Sequence, residues 1–246
     1  MLKAVFLEFH GTVLNDARLR EQLTADLLLQ ENLRPNPQDY QQCCVGRRDR
    51  ACLQDLLEQR GRFVNAQIVT EVVGRKQQAY GTAIAALDEL PVYPGIEGFI
   101  QRLRAANLQV GLLTLLAEAD AGTVLERLNL LDSFDVWLTA DTDWASPPEP
   151  DGYLALLAQL QQQDPTLTAA DCLVIDHTLP GIAAAHLANM AVVGITHTYP
   201  LHILQRHATW VVDKFSELEL ERVEAVFAQA DEAVVEDAAE DAATVE

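Results

Sequence analysis

Leu7-Glu8-Phe9-His10-Gly11-Thr12-Val13 closes the first apolar run of the chain, Leu2 to Phe9, and the reading of everything downstream turns on it. A short apolar run with no helical period reads as a strand buried on both faces, and Gly11 is the first residue at which the chain turns easily. Val110 to Thr114, Val136 to Thr139, Cys172 to Ile175 and Ala191 to Ile195 are runs of the same kind. Between them, Ile96 to Asn107, Ala119 to Asn129, Tyr153 to Gln162 and Ile182 to Asn189 carry apolar residues three and four apart, as helices do. Strand alternating with helix predicts an α/β fold, a Rossmann-like parallel sheet flanked by helices, with its functional groups at the carboxyl ends of the strands. The alternation fails after the first strand, where Arg18 to Asn32, Asp49 to Arg60 and Ala66 to Ala86 all read as helices. The expected organisation is therefore an α/β core of residues 1–15 and 91–222, with an all-helical cap, 16–90, inserted after the first strand. Leu90-Pro91-Val92-Tyr93-Pro94-Gly95 punctuates the return to the core.

Charge narrows the function classes. Seventeen basic against thirty-seven acidic residues give a net charge of -20, so the phosphate-neutralising surface of a nucleic-acid binder is missing. Eleven of the acidic residues fall between Glu217 and Glu246, against one basic residue, Arg222. Residues 223–246 are expected to form an acidic tail, helical or disordered, that solubilises the chain or contacts a basic partner. No run reaches the length of a membrane span, and Glu8 interrupts the N-terminal apolar run too early for a secretory segment, so a cytoplasmic protein is expected. Cys43, Cys44, Cys52 and Cys172 lack metal-binding spacing and are expected to be reduced and mostly buried.

Four motifs in order carry a resemblance. They are the first-strand end Glu8-Phe9-His10-Gly11-Thr12, then Leu112-Leu113-Thr114, then Ser146-Pro147-Pro148-Glu149-Pro150-Asp151-Gly152-Tyr153, and lastly Val174-Ile175-Asp176-His177-Thr178 with Gly181, Ala184 and Ala185 behind it. Together with the helical cap and the Tyr93-Pro94-Gly95 re-entry, they resemble the haloacid dehalogenase-like superfamily, in its β-phosphoglucomutase and CbbY-like phosphatase branch, over nearly all of the chain up to about residue 220. The resemblance implies phosphoryl transfer through an aspartate nucleophile, with a second aspartate moving the proton. A Thr or Ser and a Lys hold the transferring group, and an acidic residue of the last motif helps to hold Mg²⁺.

The occupants of those positions depart from the pattern. Glu8 stands at the nucleophile position, and its extra methylene displaces the carboxylate; an ångström of misplacement can cost about a hundredfold. His10 stands at the acid/base position and Thr114 at the hydroxyl position, while Pro147 replaces the Lys, a loss commonly worth about 10²–10³-fold. Asp176-His177 replaces a pair of acidic residues. Gly11, Thr12, Arg47, Arg48 and Lys76 are the candidate substrate-binding residues, with a solvated basic face as the plainer account of the last three. Glu8, Asp176 and His177 are the candidate metal ligands; with His10 they offer two imidazoles and two carboxylates that suit a transition metal in place of Mg²⁺, and the histidines 197, 202 and 207 are expected to pack or lie at the surface.

These departures predict a catalytically inactive or severely impaired relative, one that acts by binding an unidentified protein partner or a phosphorylated small molecule and needs no cofactor. The alternative is a sugar-phosphate phosphatase with altered metal or acid/base chemistry, with Mg²⁺ if active. Dehalogenase and phosphonatase chemistry need an aspartate nucleophile or a dedicated lysine and fall with the first motif.

Overall fold

The computed structural model describes residues 1–229. Its core is a six-stranded, all-parallel sheet in the order β3-β2-β1-β4-β5-β6, built from β1 (Ala4–Glu8), β2 (Gln109–Leu113), β3 (Val136–Leu138), β4 (Cys172–Asp176), β5 (Ala191–Ile195) and β6 (Trp210–Val212). Because side chains alternate along a strand, β1 feeds both faces. Val5, Leu7 and Phe9 join one apolar cluster with Phe99, Leu103 and Val124, while Ala4 and Phe6 join another with Tyr153, Leu156 and Ile182. Helices α5 (Ile96–Ala105) and α6 (Glu118–Arg127) supply the first face, and α7 (Asp151–Leu160) and α8 (Leu179–Leu187) the second.

Four helices, α1 (Ala17–Gln30), α2 (Asp39–Cys43), α3 (Asp49–Gln59) and α4 (Ala66–Ala85), lie between β1 and β2 in sequence, and α1 to α4 share a separate core that includes Leu28, Cys52, Leu56 and Val72. The short α2, the four-residue α9 (Leu201–Leu204) and the edge strand β6 are too brief to show a period, and sequence analysis missed them.

Four helix ends share one device. Asn32, Asn107, Asn129 and Asn189 follow α1, α5, α6 and α8 in the left-handed region, with φ between 55° and 58°. In each case the next residue, Leu33, Leu108, Leu130 or Met190, donates its amide back to a carbonyl of the last turn and turns its side chain toward the core. Asparagine tolerates this conformation best among residues with a Cβ.

Two expectations are corrected. Cys44 and Cys52 form a disulfide, their Cα atoms 4.7 Å apart, because the turn between α2 and α3 folds one onto the other; Cys43 and Cys172 are free and buried. The stretch expected as an acidic tail from 223 begins as a helix, one of the two forms expected, but it packs on the core: residues 220–229 are helical, with Val223 and Phe227 buried and Phe227 stacked on Trp210. The expected tail beyond 229 lies outside the described residues. No helix among the described residues is long and apolar enough to cross a membrane.

Candidate functional site

The strand order reverses at β1, which pairs with β2 on one side and β4 on the other. In register, Glu8 lies beside Leu113, so Glu8, Thr114 and the Asp176-His177 pair come together at the carboxyl edge, the place where open α/β sheets bind ligands. Beyond β1 the chain turns back at once, with Val13 and Leu14 donating to the Phe9 carbonyl and Gly11 to the Leu14 carbonyl. Gly11 has φ +83°, and a Cβ there would lie 2.2 Å from the His177 ring. The backbone amide of this expected substrate-binding residue is spent inside the loop; what Gly11 provides is room for an imidazole. Thr12 is fully buried and its hydroxyl has no partner among the described residues.

His10 is buried and held at both nitrogens. Its Nδ1 lies 2.7 Å from Asp16 Oδ2 and its Nε2 lies 3.3 Å from Thr114 Oγ1. A carboxylate accepts only, so Nδ1 carries the hydrogen and Nε2 is the atom free to exchange a proton. Tyr80 donates to the same Asp16 oxygen at 2.6 Å. Burial alone would raise the Asp16 carboxyl, but His10 and Arg20 outweigh it and hold it below the usual carboxylate range. Sequence analysis missed Asp16, which immediately precedes α1. It makes no side-chain cap, and its carboxylate is turned inward onto His10 instead.

Glu8 is mostly buried, and its Oε2 lies 3.5 Å from His177 Nε2 and has no hydrogen-bond partner among the described residues. Burial pushes its carboxyl up, against the opposing pull of His177. His177 Nε2 is 2.7 Å from the His10 carbonyl oxygen, and its Nδ1 is 2.6 Å from Thr198 Oγ1. Burial would lower the His177 imidazole, but Glu8 and Asp176 bring it above the usual histidine value. His197 stacks on Tyr93 and donates from Nδ1 to the Gly11 carbonyl at 2.8 Å; burial pushes its imidazole down to about 4.

Asp176 does not face this cleft. Its Oδ1 accepts from the Thr178 amide and hydroxyl, and its Oδ2 from Tyr153 at 2.6 Å. Gly181 is what lets it sit there, since a Cβ at 181 would be 1.9 Å from that oxygen. The expected ligand set Glu8, Asp176 and His177 is therefore corrected: it does not converge, and no group of three or more His, Cys, Asp or Glu among the described residues is arranged to hold a metal. A hard divalent cation is commonly held by one or two carboxylates with water and ligand oxygens completing its shell, and these residues do not fit one, because the open side of the Glu8 carboxylate is occupied by the His177 ring.

The candidate anion-binding cations are likewise committed to the protein. Lys76 and Arg20 both pair with Asp49 Oδ1, at 2.7 and 3.1 Å, and Arg47 pairs with Asp55. Arg48 lies over the Trp144 ring and donates to the carbonyls of Ala140, Thr142 and Trp144, while its own amide donates to Ser146 Oγ beside Pro147. It ties α3 to the loop that replaces the family's Lys. Between the helices and the sheet edge lies a cavity of about 130 Å³ lined by Glu8, His10, Asp16, Arg18, Tyr40 and Leu115 among others, and a second of about 270 Å³ lined by Arg48, Asp49, Arg50, Leu115 and Ala140 among others.

The family model described as haloacid dehalogenase-like hydrolase matches residues 2–189, and the chain belongs to that family. It is similar to β-phosphoglucomutase of Bacillus subtilis, 29% identical over 65% of this chain and 66% of that protein, just under two thirds of its length. It is also similar to validoxylamine A 7'-phosphate phosphatase of Streptomyces hygroscopicus, 23% identical over 83% of this chain and 90% of that protein. Among solved structures, β-phosphoglucomutase from Clostridium difficile superposes with a TM-score of 0.80 at 21% identity, over 94% of this chain and 99% of that one.

Proposed function

We propose that this member of the haloacid dehalogenase-like hydrolases is a phosphomonoester hydrolase with altered acid/base chemistry, acting on a small phosphorylated molecule. The observation that carries the reading is the buried relay Asp16–His10–Thr114, which aims one imidazole nitrogen at the strand edge beside Glu8. A histidine oriented by a carboxylate is a competent proton-transfer group, typically worth about 10²–10⁴-fold. In this reading the Glu8 carboxylate attacks phosphorus and the bond to the ester oxygen breaks. That oxygen leaves with a proton from Nε2 of His10, which enters this step as the imidazolium and leaves it as the neutral Nδ1–H ring. A water then attacks phosphorus, returns its proton to His10 and frees phosphate and Glu8. The names of the relatives support this reading over the inert protein that the departing motifs suggested. Turnover is expected to be slow, because the long Glu8 side chain and the missing Lys each remove transition-state stabilisation.

One observation favours a binding role as a second reading. Arg47, Arg48 and Lys76 are all satisfied by protein groups, which leaves Arg18 and Arg20, the latter paired with Asp49, as the basic side chains lining the cavity. In that case the closed cleft would serve recognition, and the acidic stretch beyond 229 would be the candidate arm for a protein partner. In either reading we take residues 16–90 as the cap, and 1–15 with 91–222 as the core. Phosphate release from a panel of sugar phosphates and an aryl phosphate distinguishes the two. Release above the protein-free background that disappears in Glu8→Gln and His10→Asn is expected; no release from a folded wild-type protein would leave the binding role.

A further inference from the structure

We propose that the imidazole of His177 holds the place of a divalent cation in this cleft, so that the chain takes its ligand without one. The inference concerns the cleft of the proposed hydrolysis but does not need it, since it applies equally to a binding protein.

The geometry runs through one nitrogen. The His10 carbonyl oxygen can only accept, so His177 Nε2, 2.7 Å away, carries a hydrogen. A nitrogen that carries a hydrogen has no lone pair to give a metal, whichever protonation state the rest of the ring is in. The same N–H edge faces Glu8 Oε2 at 3.5 Å, a buried oxygen with no hydrogen-bond partner among the described residues. One donor thus sits between the two oxygens, a first-strand carboxylate and the carbonyl two residues on, that an incoming cation at the sheet edge would need.

The ring is seated too firmly to be a casual occupant. The absent Cβ of Gly11 is what admits it, because any side chain there would overlap the ring. Thr198 Oγ1 at 2.6 Å from Nδ1 fixes the other edge, so a flip about the ring axis would break both contacts. The neighbouring carboxylate is unavailable as well, with both Asp176 oxygens held by Thr178 and Tyr153. A cation entering here would have to displace a buried, hydrogen-bonded ring before it could reach the Glu8 carboxylate and the His10 carbonyl, and no second carboxylate stands ready beside them.

The test is binding, not turnover. Mn²⁺ titrated into the full chain is followed by the electron paramagnetic resonance signal of the free ion, for wild type, Glu8→Gln and His177→Asp. Wild type is expected to leave the free signal undiminished, and His177→Asp to bind Mn²⁺ saturably, since it frees the His10 carbonyl and adds a carboxylate beside Glu8. Saturable binding in wild type that Glu8→Gln abolishes would overturn the proposal. So would a folded His177→Asp that binds no better than wild type. Should that variant not fold, the ring ¹⁵N resonances of wild type decide. A protonated Nε2 that Mg²⁺ leaves unmoved supports the proposal, and a Mg²⁺-dependent shift of the His177 ring overturns it.

Discussion

Replacing Asp49 with Asn should be among the most costly single changes in the helical insertion. Asp49 opens α3 and its Oδ1 is shared by Lys76 of α4 and Arg20 of α1, so one carboxylate joins three helices. Lys76 and Arg20 are 2% and 5% exposed, and the variant leaves both without a counter-charge. Burial alone would raise the Asp49 carboxyl from 3.8, but the two cations bring it down to about 2. That difference corresponds to about 2 kcal/mol of stability, and breaking a buried pair by removing one partner costs about 3–5 kcal/mol. The expected loss therefore lies between about 2 and 5 kcal/mol, read from urea unfolding of both proteins. The sign with pH follows from a depressed carboxyl. The contribution is complete above the unfolded value of 3.8 and is lost as pH falls through about 2. The gap between wild type and Asp49→Asn should accordingly be flat near neutrality and narrow in acid. A loss under about 0.5 kcal/mol, the size usual for surface substitutions, or a gap that stays constant into acid, would refute the reasoning.

Other perturbations test the site and the closure over it. Asp16→Asn should lower kcat by about 10²–10⁴-fold with the fold intact, because an uncharged amide can turn either a donor or an acceptor to Nδ1 and so no longer fixes the His10 tautomer; steady-state kinetics with near-ultraviolet circular dichroism checks both. Gly11→Ala should destabilise by at least about 1–2 kcal/mol for the left-handed backbone alone, with more for the overlap with His177, read from thermal unfolding. Arg48→Ala should free α3 from the 140–146 loop, which hydrogen exchange at residues 44–50 would register as faster exchange. Replacing Cys44 and Cys52 with Ser should cost about 2–3 kcal/mol, given a closed loop of this short length; urea unfolding of the double variant under oxidising conditions measures it.

Much of the fold was legible because its signals are local. β1, β2, β4 and β5 are short continuous apolar runs, as strands covered on both faces must be, and Asn-Leu or Asn-Met marks four helix ends. The motif order placed Glu8, His10, Thr114 and His177 at one sheet edge. What the side chains do there was not legible, since it depends on partners far along the chain. Arg48 is bound by carbonyls about a hundred residues away, and Lys76 by Asp49 on another helix. Asp16 carries no motif of its own, and its role appears only where the fold turns its carboxylate onto His10. The outward and inward assignments of Asp176 and His177 rest on Gly181 and Gly11, each a missing Cβ that a neighbour fills. Adjacent cysteines gave no hint that only Cys44 would reach Cys52 across the α2–α3 turn.

The most direct measurement is phosphate release from a small sugar phosphate in metal-stripped buffer containing a chelator, comparing wild type with His10→Asn. The account predicts slow release from wild type that the chelator does not diminish and that His10→Asn loses. Release that appears only when Mg²⁺ or Mn²⁺ is restored, or that persists in His10→Asn, would contradict it.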